Sequence, residues 1–307
     1  MSRKNPTGNG QAPNPRFRGV FTAIITPFTP DGSKIDFARL EKQIEAQAKG
    51  GVTGIVVAGT TGESPTLEPA EYEELAKKSI AAGKKAGLMV IVGTGSNSTT
   101  HAVHLQKFAA KAGADAALSV NPYYNKPTQD GLYGHFMAVA QAAELPVMLY
   151  NIPGRTGVAL TTDTIKRLAE HPNIQAVKEA TGSVDSASDI ALHCPRLAVL
   201  SGDDPLTLPM GAVGAVGVVS VVSNVVPDRV VAMCNAFLSD RWSDALEIHR
   251  ELAALCKALF AETNPIPVKA AMHLLGRDSG AVRLPMTPAS AATIQRLKQV
   301  LTTHELL

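Results

Sequence analysis

"GIVVAGTTGESPTLEPAEYEELAKKSIAAGKKAGLMVIVGTG", residues 54–95, reads as one complete strand–helix–strand passage. Its two ends, "GIVV" and "LMVIVG", are short unbroken apolar runs, as expected of strands buried on both faces in a parallel sheet. Between them, Glu71, Glu73 and Glu74 come early and Lys84 and Lys85 late, the charge order a helix dipole favours. Parallel neighbours need a crossover of this kind, and the passage is therefore a βαβ unit.

The same alternation repeats in both directions. Apolar runs lie at 19–28, 54–62, 88–95, 116–124, 146–153, 174–181, 197–204 and 215–224, each closed by Gly, Pro, Asn, Asp, Ser or Thr. Helical patterns fill the intervals, beginning with "DFARLEKQIEAQAKGG", where Asp36 is a natural N-cap and the glycines a natural stop. Eight strand–helix units spaced by roughly thirty residues predict an α/β fold, the closed (β/α)8 TIM barrel, over residues 17–240. An open doubly wound sheet is the alternative; it usually has fewer strands and often a GxGxxG at the start of a helix, and no such fingerprint is present. Residues 241–307 hold three more helical stretches, "RWSDALEIHRELAALCKALF", "PIPVKAAMHLLG" and "PASAATIQRLKQVL", expected as a C-terminal three-helix extension packed outside the barrel. Residues 1–16, rich in Pro, Gly and Asn, are expected to form a disordered arm.

Composition narrows the function. A net charge of +2, with basic residues scattered, argues against a nucleic-acid or membrane-surface protein. No stretch has the length and apolarity of a membrane span, and "MSRKNPTGNGQAPNPRF" lacks the apolar core of a signal peptide, so a cytoplasmic location is expected. Cys194, Cys234 and Cys256 have no paired spacing and indicate neither a disulfide framework nor a zinc site.

Barrel enzymes build their sites at the C-terminal ends of the strands. Those ends offer Thr60, Thr61, Asn97, Tyr123, Tyr124, Tyr150, Asn151, Lys178, Glu179, the stretch 202–204 and the stretch 220–224. Hydroxyls abound, and the His/Asp/Glu cluster of a divalent metal site is missing, so no metal and no cofactor is expected. Lys178 interrupts an apolar run. Ile174, Ala176, Lys178 and Ala180 share one parity and should face one side of the strand. An ammonium group among aliphatics is penalised by desolvation, and a neutral amine adds to ketones to give a Schiff base. Tyr150, inward at the end of the preceding strand, could pass protons to the forming adduct. The plainer alternative is a strand-end lysine that reaches solvent or pairs with Glu179. Taken singly, "GTTG" is a tight turn, Tyr123 and Tyr124 are packing aromatics, and Arg155 is a loop charge.

Together, "GTTGES", "NPYYNKPTQ", "LYNIPGRTG", "KEATG", "SGDD", "NPIPVK" and "RLPMTP" resemble, in order and spacing, the 4-hydroxy-tetrahydrodipicolinate synthase family, from about Gly19 to the C-terminus. The resemblance implies a lyase of the class I aldolase type that condenses pyruvate with L-aspartate 4-semialdehyde. It makes Lys178 the Schiff-base lysine and Tyr150 its proton shuttle. Thr61 would link Tyr150 to Tyr124, and Tyr124 would enter a neighbouring subunit's site. Thr60 and Thr61 would hold the pyruvate carboxylate, with the main-chain carbonyl of Val219 close by. Arg155 would bind the carboxylate of the semialdehyde, which separates the synthase from relatives acting on sugar-like aldehydes. The alternatives are such a keto-sugar acid lyase and a catalytically silent sensor barrel. A homotetramer, a dimer of dimers, is implied. Several family members are inhibited by lysine, and the matching cleft here would hold Ser64, Asn97, His101 and Tyr123. His101 stands where inhibitable members typically carry glutamate, and Pro69 and Tyr72 replace common histidines, so weak or absent lysine feedback is expected.

Overall fold

The computed structural model describes residues 13–307. Strands β1 (Gly19–Ala23), β2 (Gly54–Val57), β3 (Met89–Gly93), β4 (Ala116–Val120), β5 (Val147–Asn151), β6 (Ile174–Glu179), β7 (Ala198–Ser201) and β8 (Gly217–Ser220) form one closed barrel in chain order. All pairings are parallel, and β8 closes on β1 with Phe21 opposite Val219. Helices α1 (Phe37–Lys49), α2 (Pro69–Lys85), α3 (Thr99–Ala112), α4 (Gln129–Gln141), α5 (Pro153–Thr156) and α6 (Thr162–Leu168) follow the first five strands. Helices α7 (Val184–His193), α8 (Thr207–Ala212) and α9 (Pro227–Leu238) complete the ring. The expected TIM barrel is thus what forms, with α10 (Trp242–Leu259), α11 (Ile266–Leu274) and α12 (Ala291–Thr303) as the extension.

Period-two alternation divides each strand between two cores. Phe21, Val56, Ile91, Leu118, Met148, Ala176 and Leu200 fill the lumen, while Val57, Val90, Leu149, Val177 and Val199 face the helices. Each such Ile, Leu, Val or Phe contributes roughly 1.5–3 kcal/mol on burial, which is why apolar residues dominate the strands. Ile174 departs from the expected parity. Val147 pairs with Ile174 but Met148 with Ala176, so Gln175 is an extra residue on β6; Ile174 therefore packs with the outer cluster, and the inward set begins at Ala176.

Two further departures concern segment ends. The arm expected over 1–16 falls largely outside the described residues, but Asn14 caps a 3-10 turn at Pro15–Phe17 and donates to the Gln175 side chain. Arg16 pairs with Asp115, and Phe17 plugs the lumen, so the folded body starts before Gly19. "NIPGRTG" contains a single helical turn, α5, stopped by Gly157 at φ 76°. A turn this short leaves no amphipathic period to read.

The extension does more than cover the barrel's outer face. Lys269 on α11 is fully buried and donates to Glu63 Oε1 at 2.6 Å and to the Thr26 carbonyl at 2.9 Å. Glu63 Oε2 accepts from the Arg283 main-chain N–H, and the Arg283 guanidinium clasps Glu71 with bonds of 2.6 and 2.7 Å. The loop after β2 is therefore fastened from the C-terminal segment. Glu63 itself sits at φ 53°, a left-handed conformation that a non-glycine residue adopts at a cost.

His135 on α4 is buried, receives or gives one hydrogen bond with Thr99 through Nδ1, and has no partner at Nε2. Desolvation lowers its pKa from 6.5 to about 4. The unfolded chain therefore binds the proton more tightly, and this contribution is present above about pH 6.5 and lost as pH falls towards 4. Denaturant titrations at pH 7 and pH 4.5 should show roughly 2–3 kcal/mol less of that acid loss in His135→Gln than in the native chain.

Candidate active site

The carboxyl ends of β2, β5, β6 and β7 meet at one mouth of the barrel. Lys178 lies opposite Tyr150 in the β5–β6 register, and its Nζ sits 4.1 Å from the centre of the Tyr150 ring. Lys178 is 6% exposed, and among the described residues no carboxylate pairs with it. The alternative that it pairs with Glu179 fails for a geometric reason. Adjacent strand residues point to opposite faces, and Glu179 is bound on the other side by the Thr181 N–H at 2.9 Å and Asn151 Nδ2 at 3.1 Å. Burial still pushes the Glu179 carboxyl above the usual carboxylate range.

Glu179 belongs to a brace behind the site. Asn121 donates to Asn151 Oδ1 and to the Val158 carbonyl, and Asn151 donates to Glu179 and to the Leu160 carbonyl. The ends of β4, β5 and β6 are thereby tied together, which fixes Tyr150 and Lys178 on rigid backbone. Gly202, just past β7, leaves room for the lysine stem. A Cβ there would lie 3.0 Å from Lys178 Cγ and Cε and 2.7 Å from Ala180 Cβ.

Thr60 and Thr61 occupy the loop between β2 and α2. Thr61 is buried and Thr60 half-buried. The Thr61 hydroxyl accepts from Asn264 Nδ2 at 2.9 Å, a residue that motif reading had left without a role. Arg155, on α5, is exposed and donates through Nη2 to the Asn264 carbonyl at 3.1 Å. Val219 lies in the lumen, packed in the same cluster as Tyr150. Tyr124 stands 89% exposed at φ 74° and makes no hydrogen bond to Thr61 within the chain. Within one chain, the expected Tyr150–Thr61–Tyr124 relay is therefore not assembled.

Beside the mouth lies a cleft of about 450 Å³, whose walls include Thr60, Arg155, Ser64, His101 and Tyr123. Three of the four residues expected of an effector cleft meet there. Asn97 stands outside its walls, its carbonyl held by Asn125 Nδ2. Pro69 and Tyr72 also line the cleft, and Tyr72 donates to the Gly93 carbonyl at 2.8 Å. The carboxylate on its wall, Glu73, makes an exposed pair with Lys77 at 3.1 Å.

This arrangement can form and protonate an imine: a buried amine, a phenol against it, hydroxyls for a carboxylate and a guanidinium at the rim. No group of His, Cys, Asp and Glu able to hold a metal ion is found among the described residues. None of the helices described is long and apolar enough to cross a membrane.

Comparison with known proteins gives the family. The pattern of the Dihydrodipicolinate synthetase family matches residues 16–304. A 4-hydroxy-tetrahydrodipicolinate synthase of Methanothrix thermoacetophila is 49% identical over 288 residues, covering 93% of this chain and 96% of its own. The crystal structure of DHDPS from Cyanidioschyzon merolae with lysine bound superposes with a TM-score of 0.93 at 44% identity, covering 95% and 99% of the two chains. The chloride-inhibited dihydrodipicolinate synthase of Acinetobacter baumannii, complexed with pyruvate, gives 0.92 at 42% identity, covering 95% of this chain and all of its own.

Proposed function

The chain belongs to the dihydrodipicolinate synthetase family, and on that premise we propose that Lys178 is the amine on which its reaction runs. The reaction is that of 4-hydroxy-tetrahydrodipicolinate synthase, a class I aldolase-type lyase joining pyruvate to L-aspartate 4-semialdehyde. The observation that carries the assignment is the Lys178 amine, buried against Tyr150 without a carboxylate partner.

Neutral Lys178 adds to C2 of pyruvate to give a carbinolamine, and loss of water leaves a protonated imine. Tyr150 passes the protons. The positive nitrogen draws electrons from the methyl carbon, which gives up a proton and becomes an enamine. That carbon attacks the aldehyde of the second substrate while Arg155 holds its carboxylate with paired donors. The bound substrate's own amine then attacks C2, closes the ring and releases Lys178. Thr60 and Thr61 hold the keto-acid carboxylate, with the Val219 main-chain carbonyl close to the bound pyruvate. A borohydride quench with pyruvate tests the assignment by placing one stable adduct on Lys178, read by peptide mass.

The exposed Tyr124 supports assembly with a second copy that receives it, in a homotetramer, and the reaction belongs in the cytoplasm with the rest of amino-acid biosynthesis. The cleft beside the mouth is a poor receptor for lysine. His101 lines it where inhibitable relatives are expected to carry an acid, and the Lys77 ammonium beside Glu73 disfavours a second cation there. Turnover should keep most of its rate in millimolar lysine; strong inhibition in that assay would refute this reading.

A further inference from the structure

Asn264 stands at the start of "NPIPVK", outside the barrel strands, yet it reaches into the mouth and is 7% exposed. Its side-chain N–H feeds Thr61, its main-chain carbonyl accepts from Arg155, and its Oδ1 is buried with no partner. We infer that Asn264 is a positioning residue, which orients the single hydroxyl hydrogen of Thr61 towards the bound keto acid. This deepens the reading of the site given above and rests on it.

A threonine hydroxyl has one hydrogen to give and two lone pairs to fill. With an amide N–H supplying its oxygen, Thr61 is left as a donor, and its free direction serves the ligand carboxylate or the Tyr150 oxygen. The reverse amide orientation would make Thr61 donate back into Asn264 and take that hydrogen out of the site. A buried amide oxygen without a partner is destabilising, a cost that an apolar side chain would not incur. The compensation lies in what the other end of the amide does. The Arg155 contact uses the main chain instead, so a side-chain change at 264 acts on the keto-acid half alone.

The test compares the native protein with N264A, N264D, T61V and T61V/N264A. For each, KM is measured for both substrates, together with the rate of pyruvate trapping by borohydride at Lys178. The expected result is a pyruvate KM raised about fivefold to tenfold in N264A, with the semialdehyde KM within about threefold of native. N264D, whose carboxylate can only accept, should be slower to trap than N264A. In the T61V background, N264A should add nothing to the pyruvate KM. Additive effects, a native pyruvate KM in N264A, or failure of both single variants to fold would overturn the inference. If the native protein traps at Lys178 while N264A behaves as native, this inference alone fails. If the native protein gives no adduct there, the site assignment fails and takes the inference with it.

Discussion

Lys178→Ala should abolish the borohydride-trapped pyruvate adduct and lower turnover by on the order of 10⁴-fold or more. The size follows from the kind of role proposed. Removing a hydrogen-bond donor weakens one contact in a path that survives, but removing the amine that carries the intermediate removes the path. The pyruvate methyl then has no electron sink, and no carbanion equivalent forms at neutral pH. Lys178→Arg keeps the charge and most of the stem, yet a guanidinium stays protonated and does not add to a ketone, so it should fail equally. This pair separates the covalent role from a merely electrostatic one. A lysine acting only as a fixed charge would leave the arginine variant substantially active. Melting curves showing that both variants are folded at the assay temperature would complete the result.

The second large effect concerns stability. Lys269→Met should destabilise the protein by roughly 3–5 kcal/mol, because it leaves the Glu63 carboxylate buried and uncompensated. The double variant Glu63→Gln, Lys269→Met removes both charges and should recover a good part of that loss. A double variant no better than the single one would mean that packing, not charge, holds this junction. Because Glu63 closes the loop that carries Thr60 and Thr61, Lys269→Met should also raise the pyruvate KM at temperatures where the protein is still folded.

Much of this could be read from the chain alone, for identifiable reasons. Strands buried on both faces become unbroken apolar runs, so all eight were visible, and a lysine inside one of those runs announces itself. Tyr150 followed from parity with Lys178. What stayed hidden depends on contacts between distant segments. Asn264 meets Thr61 across 203 residues, and nothing local to "NPIPVK" says where it points. Glu63 was legible only as a letter of "GTTGES", since a buried carboxylate and an exposed one look alike without the partner on α11. The parity of Ile174 misled because one extra residue within its own strand, Gln175, breaks the alternation and leaves no mark in the sequence. Tyr124 was given a role by resemblance alone, because a contribution to another subunit depends on a surface that one chain's sequence does not mark.

Gly202 has a mechanical meaning. The Schiff-base role proposed for Lys178 asks its stem to carry first a tetrahedral adduct and then a flat one, and the bare backbone at this position keeps a Cβ from pressing on that stem. Anyone reshaping the enzyme for bulkier keto acids should carve the opposite wall and leave that gap alone, since filling it would jam the hinge before the new substrate arrived.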